Sequence, residues 1–516
     1  MTDQLSPSPA PWTVPKFVRY GILAAGTLVV CLSVWLSFHR NLDFAWTSIR
    51  LAPAFALTHG YPLYSTPNTA PWVMVGYGPL YPVAYLPSTL ASTPGPAVGI
   101  ATLLAHLYIL VPVGLLCLAC ARRLRAPESP APLHGGFLLL LFALVAYCAP
   151  SLTYVTSHVH VDAPALGLFL FAAYAVLRAE FGNSNERRWM LVAGLCAGLS
   201  AACKLNLVAA AVGFAVWVAL RSGVKAGVRV SLGAAVAFCA VYAGIAARDG
   251  FAAVLWNLRL PGKMPWFKFQ ELGSVTPSGV SHDFADKVRT LLGLMSDYLQ
   301  DYGVVALALL LLLPFVSERS AAAARMIKFF LFLTAVMLLA SIASVGKSGG
   351  DVNSRALVTL PLTLAAIFAF GALVQQARRT GLATAYTALL AAIFVVGLAA
   401  AGAALRLSIK ESSTMAEAYT VVSNEPGRWY FPFDPLAHVL AEGKFRPNMD
   451  VVHSYAAAGA PVEKTAFRSA LPEEMQHIAV PPSFASWGIG EIRRLLPEYH
   501  KAARELDSEH HQVISR

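Results

Sequence analysis

Residues 77–91, YGPLYPVAYLPSTLA, are apolar enough to form a membrane span, and whether they cross decides the topology of everything that follows. The runs on either side frame the question. Phe17 to Phe38, Gly99 to Ala121 and Leu382 to Leu405 are each long enough, at about 1.5 Å rise per residue, to traverse roughly 30 Å of hydrocarbon. Spans are predicted at 18–38, 97–121, 135–152, 163–178, 189–203, 206–220, 229–247, 302–316, 329–345, 355–374 and 382–405, about 11 in all. With the amino terminus cytoplasmic and 77–91 left out, the cytoplasmic connections carry Arg122, Arg123 and Arg125; Arg178, Arg187 and Arg188; Arg221, Lys225 and Arg229; Arg319, Arg325 and Lys328; and Arg378 and Arg379. A crossing at 77–91 would put these clusters outside, against the excess of Lys and Arg that cytoplasmic loops carry. The stretch, broken by Pro79, Pro82 and Pro87, is therefore read as a helix lying at the outer interface or re-entering from it.

Composition agrees with a helical membrane protein. Of the 516 residues, 57% are apolar and 13% charged, against roughly 45–50% and 25% in soluble domains, which excludes a water-soluble globule. Segments of about ten alternating residues are missing, so a transmembrane β-barrel is excluded as well. The net charge of +11 follows from the arginine clusters that orient the spans and gives no reason to expect nucleic acid. All the cysteines lie in apolar runs; Cys117 and Cys120 form a CxxC inside a span, without the setting of a redox motif. Lys16 and Arg19 precede a first run with no small-residue cleavage site behind it, which predicts a retained span.

On this topology the outer face receives the loops 39–96, 153–162, 248–301 and 346–354 and a polar segment, 406–516. The expected fold is an all-α polytopic domain over 1–405 with interfacial helices in its first outer loop, followed by a small extracytoplasmic α/β domain over 406–516. No internal repeat is visible.

The first outer loop opens with His39-Arg-Asn-Leu-Asp43-Phe-Ala-Trp46 and continues through His59-Gly-Tyr-Pro-Leu-Tyr64 to Gly76-Tyr-Gly-Pro-Leu-Tyr-Pro82. Later come His158-Val-His-Val-Asp162-Ala-Pro, Gly198-Leu-Ser-Ala-Ala-Cys-Lys204 and Gly350-Asp-Val-Asn353-Ser-Arg355. An acidic residue just after the first span, interfacial helices behind it and a second acid after a short second outer loop resemble the GT-C superfamily of integral-membrane glycosyltransferases. Within it, the chain is similar to the group of aminoarabinose transferases and protein mannosyltransferases. The resemblance implies a multi-pass enzyme of the bacterial cytoplasmic membrane with an active site on its outer face. It implies transfer of one sugar, with inversion, from a polyprenyl-phosphate donor to a hydroxyl of a glycan, lipid or protein. No nucleotide site is then needed, since the donor arrives through the membrane lipid.

The residue chemistry suits such a reaction. A base must take the acceptor proton and cations must stabilise the departing phosphate. By resemblance Asp43 is the general base; as a bare residue it reads as the cap of an interfacial helix. Asp162 stands at the lip of a span, where a carboxylate is costly unless paired, so a second catalytic role is the default reading. His158, His160 and Asp162 would point one way in extended backbone and could share a divalent cation, or could be interfacial imidazoles beside a helix cap. By resemblance Lys204, at the outer turn of a helix pair, contacts the donor phosphate, where alone it reads as a snorkelling lysine that ends a helix; Arg259, Lys263 and Arg355 are further cations, Arg355 being able instead to neutralise Asp351, and Lys268 is available beside Trp266 and Phe267. Tyr64, Tyr77 and Asn353 are expected to line the substrate. The Gly346-Lys-Ser-Gly-Gly350 loop lacks the strand and helix of a phosphate-binding Walker motif. A transporter or flippase, with charged groups at the bilayer midplane, and a polymerase or ligase of lipid-linked glycans are the competing readings.

Overall fold

The computed structural model describes residues 16–43, 45–124, 135–146, 149–182, 185–264, 292–293, 295–303, 305–306, 309, 321–346, 352–376, 413–499, 501–502 and 511–515. The first apolar run becomes α1 (Lys16–Asp43), and α2 (Ala45–Thr58) follows with Pro53 inside it. The deciding stretch folds as two short pieces, α3 (Leu80–Ala84) and a 3₁₀ turn at Leu86–Leu90. Five residues of α-helix rise only about 7.5 Å, so 77–91 does not cross.

Among the described residues six helical segments are long and apolar enough to span: α4 (Pro94–Leu124), α7 (Asp162–Phe181), Leu205–Ser222, α10 (Val224–Asp249), α12 (Ala321–Val345) and Val352–Leu373 of α13. Residues 208–222 form α9 (Val208–Ser222), and α13 runs Val352–Gln376. The predicted span 135–152 is instead α5 (Gly135–Ala146) and α6 (Pro150–Ser157), bent by 109° and able to count as a seventh. Pro150 supplies the break, since it cannot donate a backbone hydrogen bond to the preceding turn. Helix α8 (Glu186–Cys203) packs between α7 and α10, and α11 (Phe251–Lys263) follows α10. The chain is thus a polytopic, mainly helical membrane protein. The predicted span 382–405, most of 302–316, the loop 347–351 and Lys268 with its neighbours Trp266 and Phe267 lie outside the described residues.

In lipid, apolar helices gain little from hiding from their surroundings, and small residues let backbones approach. A Cβ at Gly198 would stand 2.2 Å from the Ala234 carbonyl oxygen, and one at Gly194 2.4 Å from that of Val230, so α8 lies directly against α10. Gly167 of α7 meets the Tyr108 carbonyl of α4 in the same way, at 2.5 Å.

The two ends of the bundle differ. At one end the Arg325 and Arg123 guanidinium groups lie 5.3 and 5.7 Å from the Phe181 ring and Arg178 lies 5.3 Å from the Trp189 ring, so arginines from three connections meet there. At the other end the first loop, the 158–161 connection and the carboxy-terminal unit gather. Asn41, near the end of α1, donates to Thr102 Oγ1 and to the Ser157 carbonyl, each at 2.9 Å, and its Oδ1 accepts from Val159 N at 3.3 Å.

The carboxy-terminal unit starts with α14 (Thr414–Asn424), capped by the Ser413 hydroxyl. Its four strands are β1 (Trp429–Tyr430), β2 (His477–Val480), β3 (Lys501–Ala502) and β4 (Gln512–Ser515), in the order β1-β2-β4-β3, with only the β1 to β2 pairing parallel. Helices α15 (Pro435–Glu442), α16 (Met449–Ala457), α17 (Lys464–Ser469) and α18 (Pro482–Leu495) surround the sheet. The unit shares one apolar core with the first loop: Ile49, Trp72 and Val75 are buried with Tyr430, Phe433, Val451, Phe467 and Phe484. The Trp72 ring stacks on Phe467 at 6.0 Å, and Ser48 donates to Asp434.

Candidate active site

Asp162, the first residue of α7, is fully buried and surrounded by donors. Its Oδ1 lies 2.5 Å from Lys204 Nζ. Its Oδ2 lies 2.5 Å from His160 Nδ1 and accepts from Asn353 Nδ2 at 2.8 Å. Two distant segments therefore converge on one carboxylate, joined there by its chain neighbour His160. Asn353 comes from the first turn of α13, where its donor reaches a group far away in sequence.

Lys204 reaches Asp162 because α8 stops at Cys203. Residue 204 is extended (φ −148, ψ 114), its N–H caps Ser200 O at 3.1 Å, and a 3₁₀ turn at Leu205–Leu207 leads into α9. The break throws the side chain off the helix and toward α7. The first loop is pressed onto the same turn. Gly78 N donates to Cys203 O at 3.0 Å, and a Cβ at Gly78 would stand 2.0 Å from Ala202 O, so no larger residue fits without moving backbone.

That contact brings Tyr77 to the cluster. Its ring meets the His160 ring edge-on at 6.0 Å and the Tyr81 ring at 5.9 Å. Tyr64 Oη donates to the Tyr77 carbonyl at 2.5 Å, so Tyr64 supports the loop from behind. The Asp249 carboxylate holds that support in place by accepting from the backbone N–H groups of Leu63 and Tyr64, at 2.8 and 3.1 Å. Tyr85 Oη donates to the His160 carbonyl at 2.8 Å. Burial holds the His160 imidazole below its ordinary pKa; the neighbouring Asp162 opposes this, while Arg50 and Lys204 add to it. A neutral ring facing a carboxylate through Nδ1 carries its proton on that nitrogen.

The proposed metal ligands are not brought together. Val161 takes the αR conformation (φ −59, ψ −26) to start α7, which ends the alternation that would align positions 158, 160 and 162. His158 turns away and stacks on Tyr154, with ring centroids 4.5 Å apart. Among the described residues no group of three or more His, Cys, Asp and Glu side chains could hold a metal ion. The donor chemistry agrees: an ammonium, an imidazole N–H and an amide N–H face Asp162, where a cation would need lone pairs.

The remaining predicted residues scatter. Asp43 is the last residue of α1, half-buried, and its carbonyl accepts from Thr414 Oγ1 at 3.2 Å. Among the described residues no hydrogen bond or ion pair joins it to the Asp162 cluster, although Asn41 ties its helix to the 157–159 segment. Arg259 is exposed on α11, and Lys263 places Nζ 4.1 Å from the centroid of the Trp256 ring. Arg355 is occupied by carboxylates, with Nε 2.5 Å from Asp301 and NH1 2.8 Å from Asp297. One contributor had no signal in the sequence. Arg50, on α2, is buried with its guanidinium 4.4 Å from the Tyr77 ring, 4.8 Å from the Trp46 ring and 3.0 Å from Asp450 Oδ2.

No family model matches this chain, and no curated protein matches it. Among solved structures, the oligosaccharyltransferase AglB from Archaeoglobus fulgidus, in complex with an inhibitory peptide and a dolichol-phosphate, matches at 11% identity and a TM-score of 0.47, over 94% of this chain and 73% of that one. The chain is also similar to ArnT from Cupriavidus metallidurans bound to undecaprenyl phosphate, at 12% identity and a TM-score of 0.39, over 95% of this chain and 97% of that one.

Proposed function

We propose that this protein is a membrane glycosyltransferase that moves one sugar from a polyprenyl-phosphate donor to a hydroxyl of a glycan, lipid or protein. The observation that carries the reading is the buried Asp162, Lys204, His160 and Asn353 cluster at the end of the bundle where the loops gather. Ionisable groups in such a setting are expensive and are kept for function. The first-loop, second-loop and Lys204 motifs that resemble GT-C enzymes flank this same place.

In this reading Lys204 holds the donor phosphate. A lysine ammonium has three donors, and Asp162 takes one, so two remain for phosphate oxygens. Arg259, exposed on α11, adds a second cation. The acceptor oxygen attacks the anomeric carbon from the face opposite the phosphate, the bond from sugar to phosphate oxygen breaks, and polyprenyl phosphate leaves. Asp43 takes the acceptor proton, and Tyr77 lines the sugar site beside His160. Asp162 serves by fixing Lys204 and His160. The arginine-rich end faces the cytoplasm of a bacterial cell, and the carboxy-terminal unit lies outside it.

The test is a donor screen on the purified full chain in detergent, with a panel of polyprenyl-phosphate sugars scored for transfer or donor hydrolysis. Asp43→Asn is expected to abolish transfer while the protein inserts and folds. Full activity in that variant would overturn the assignment of the base, and inertness toward every donor would overturn the reading itself.

A further inference from the structure

We propose that Asp450, 400 residues from Arg50 in the chain, is a positioning residue of the Asp162 site, acting through Arg50 and Tyr77. This rests on the glycosyltransferase reading above and extends it to the carboxy-terminal unit.

The contacts form an unbroken path. Asp450, in the first turn of α16, pairs with Arg50 NH1 at 3.0 Å, and the two side chains are only 16% and 8% exposed. The Asn448 side chain accepts from Asp450 N at 3.0 Å and fixes that turn. The Arg50 guanidinium lies between Trp46 and Tyr77, with distances of 4.8 and 4.4 Å to the ring centroids. Tyr77 in turn sets its ring against His160, whose Nδ1 is bonded to the Asp162 carboxylate. Arg50 Nε is buried with no hydrogen-bond partner, so the guanidinium depends on its Asp450 contact and the two rings.

Physical chemistry makes this path sensitive at its far end. A buried guanidinium keeps its place only while its charge is paired, and removing one member of a buried pair leaves the other uncompensated. Deprived of Asp450, Arg50 shifts toward water and Tyr77 loses the cation on one face of its ring. Tyr77 cannot readily follow by moving its backbone, because Gly78 is bonded to Cys203 and Tyr64 holds the Tyr77 carbonyl. The ring therefore turns, and the wall of the site facing His160 changes. Displacement of that order at a reacting centre lowers turnover far more than ground-state binding.

The experiment uses the full chain in detergent with Asp450→Asn, Asp450→Glu and Arg50→Lys, and with Glu491→Gln, which breaks the Glu491 to Arg494 pair within α18, as control. Two measurements are made. One is turnover with the active polyprenyl-phosphate sugar; the other is the ¹⁹F resonance of 3-fluorotyrosine placed at position 77, which needs no substrate. Asp450→Asn is expected to lower kcat roughly tenfold or more, with KM changed by less than about twofold, and to move the ¹⁹F resonance. Asp450→Glu restores the charge and recovers most of both, whereas Arg50→Lys, unable to stack as a plane, does not. An Asp450→Asn protein whose thermal midpoint falls while kcat and the ¹⁹F resonance stay put would overturn the proposal and leave Asp450 a structural clamp. If no donor supports turnover, the glycosyltransferase reading fails, and the ¹⁹F comparison still decides whether the path exists.

Discussion

Two charge clusters stand two residues apart on the first turn of α13, and they are built with opposite polarity. At Asn353 the helix reaches Asp162, a carboxylate ringed by donors. At Arg355 it presents a cation ringed by carboxylates, Asp297 and Asp301, and Asp301 also accepts from Ser151 N at 2.9 Å. Positions two apart on a helix point to different sides, so one turn serves both. The second cluster is committed to its own partners: it joins α13, α6 and the helical residues 295–303. The first leaves Lys204 with unspent donors and stands beside the aromatic wall of the first loop. Burial and charge alone therefore do not mark a site. What separates the first cluster is its place, against the first loop through Tyr77 and the Gly78 to Cys203 bond.

This contrast can be broken most directly at its strongest member. Asp162→Ala leaves the Lys204 ammonium buried and unpaired, and is expected to cost about 3–5 kcal/mol of stability and to lower transfer at least about a hundredfold. Thermal midpoints and initial rates on the same detergent preparation would measure both. Arg355→Met should strand Asp301 and cost about 3 kcal/mol, yet transfer per folded molecule should stay within about threefold of wild type. A collapse of activity in folded Arg355→Met protein would erase the distinction between the clusters.

A smaller effect is expected where the first loop meets the Lys204 turn. Gly78→Ala places a methyl 2.0 Å from the Ala202 carbonyl and must push the loop away, lowering transfer by roughly tenfold with a modest change in thermal midpoint. The smallest concerns Asp434, where burial pushes the carboxyl up to about 7 while the Ser48 hydroxyl and the Ala437 N–H pull the other way. A carboxyl with a raised folded pKa binds protons that the unfolded chain has released, so its burial destabilises increasingly from about pH 4 to pH 7. Asp434→Asn should match wild type in thermal midpoint below pH 4 and exceed it by a few degrees at pH 8. A midpoint difference that is flat with pH would show that Asp434 stays ionised in the folded protein.

The sequence made the membrane setting legible because long apolar runs have few other uses, and the arginines resolved 77–91 as a segment that does not cross. Asp162, Lys204 and Asn353 were legible as separate motifs through a family resemblance, without any sign of how they meet. The His158 ligand was misread because an extended register was carried into residues where α7 has already begun to turn. The bend between α5 and α6 was missed because a continuous apolar run hides a broken one, although Pro150 was in view. Arg50 with Asp450 and Ser48 with Asp434 left no trace, since a pair so far apart in the chain has no periodicity or spacing to betray it.

The core shared by the first loop and the carboxy-terminal unit has a consequence in time. Arg50 and its partner Asp450 are separated by 400 residues, and Ile49, Trp72 and Val75 are covered by side chains from the same late region. At about 5–20 residues per second the ribosome needs roughly 20–80 s to make that stretch. Throughout that interval Ile49, Trp72 and Val75 wait for a cover that does not yet exist. A chain cut short before residue 430 never receives it, so premature termination leaves an inserted membrane bundle with an open, adhesive surface.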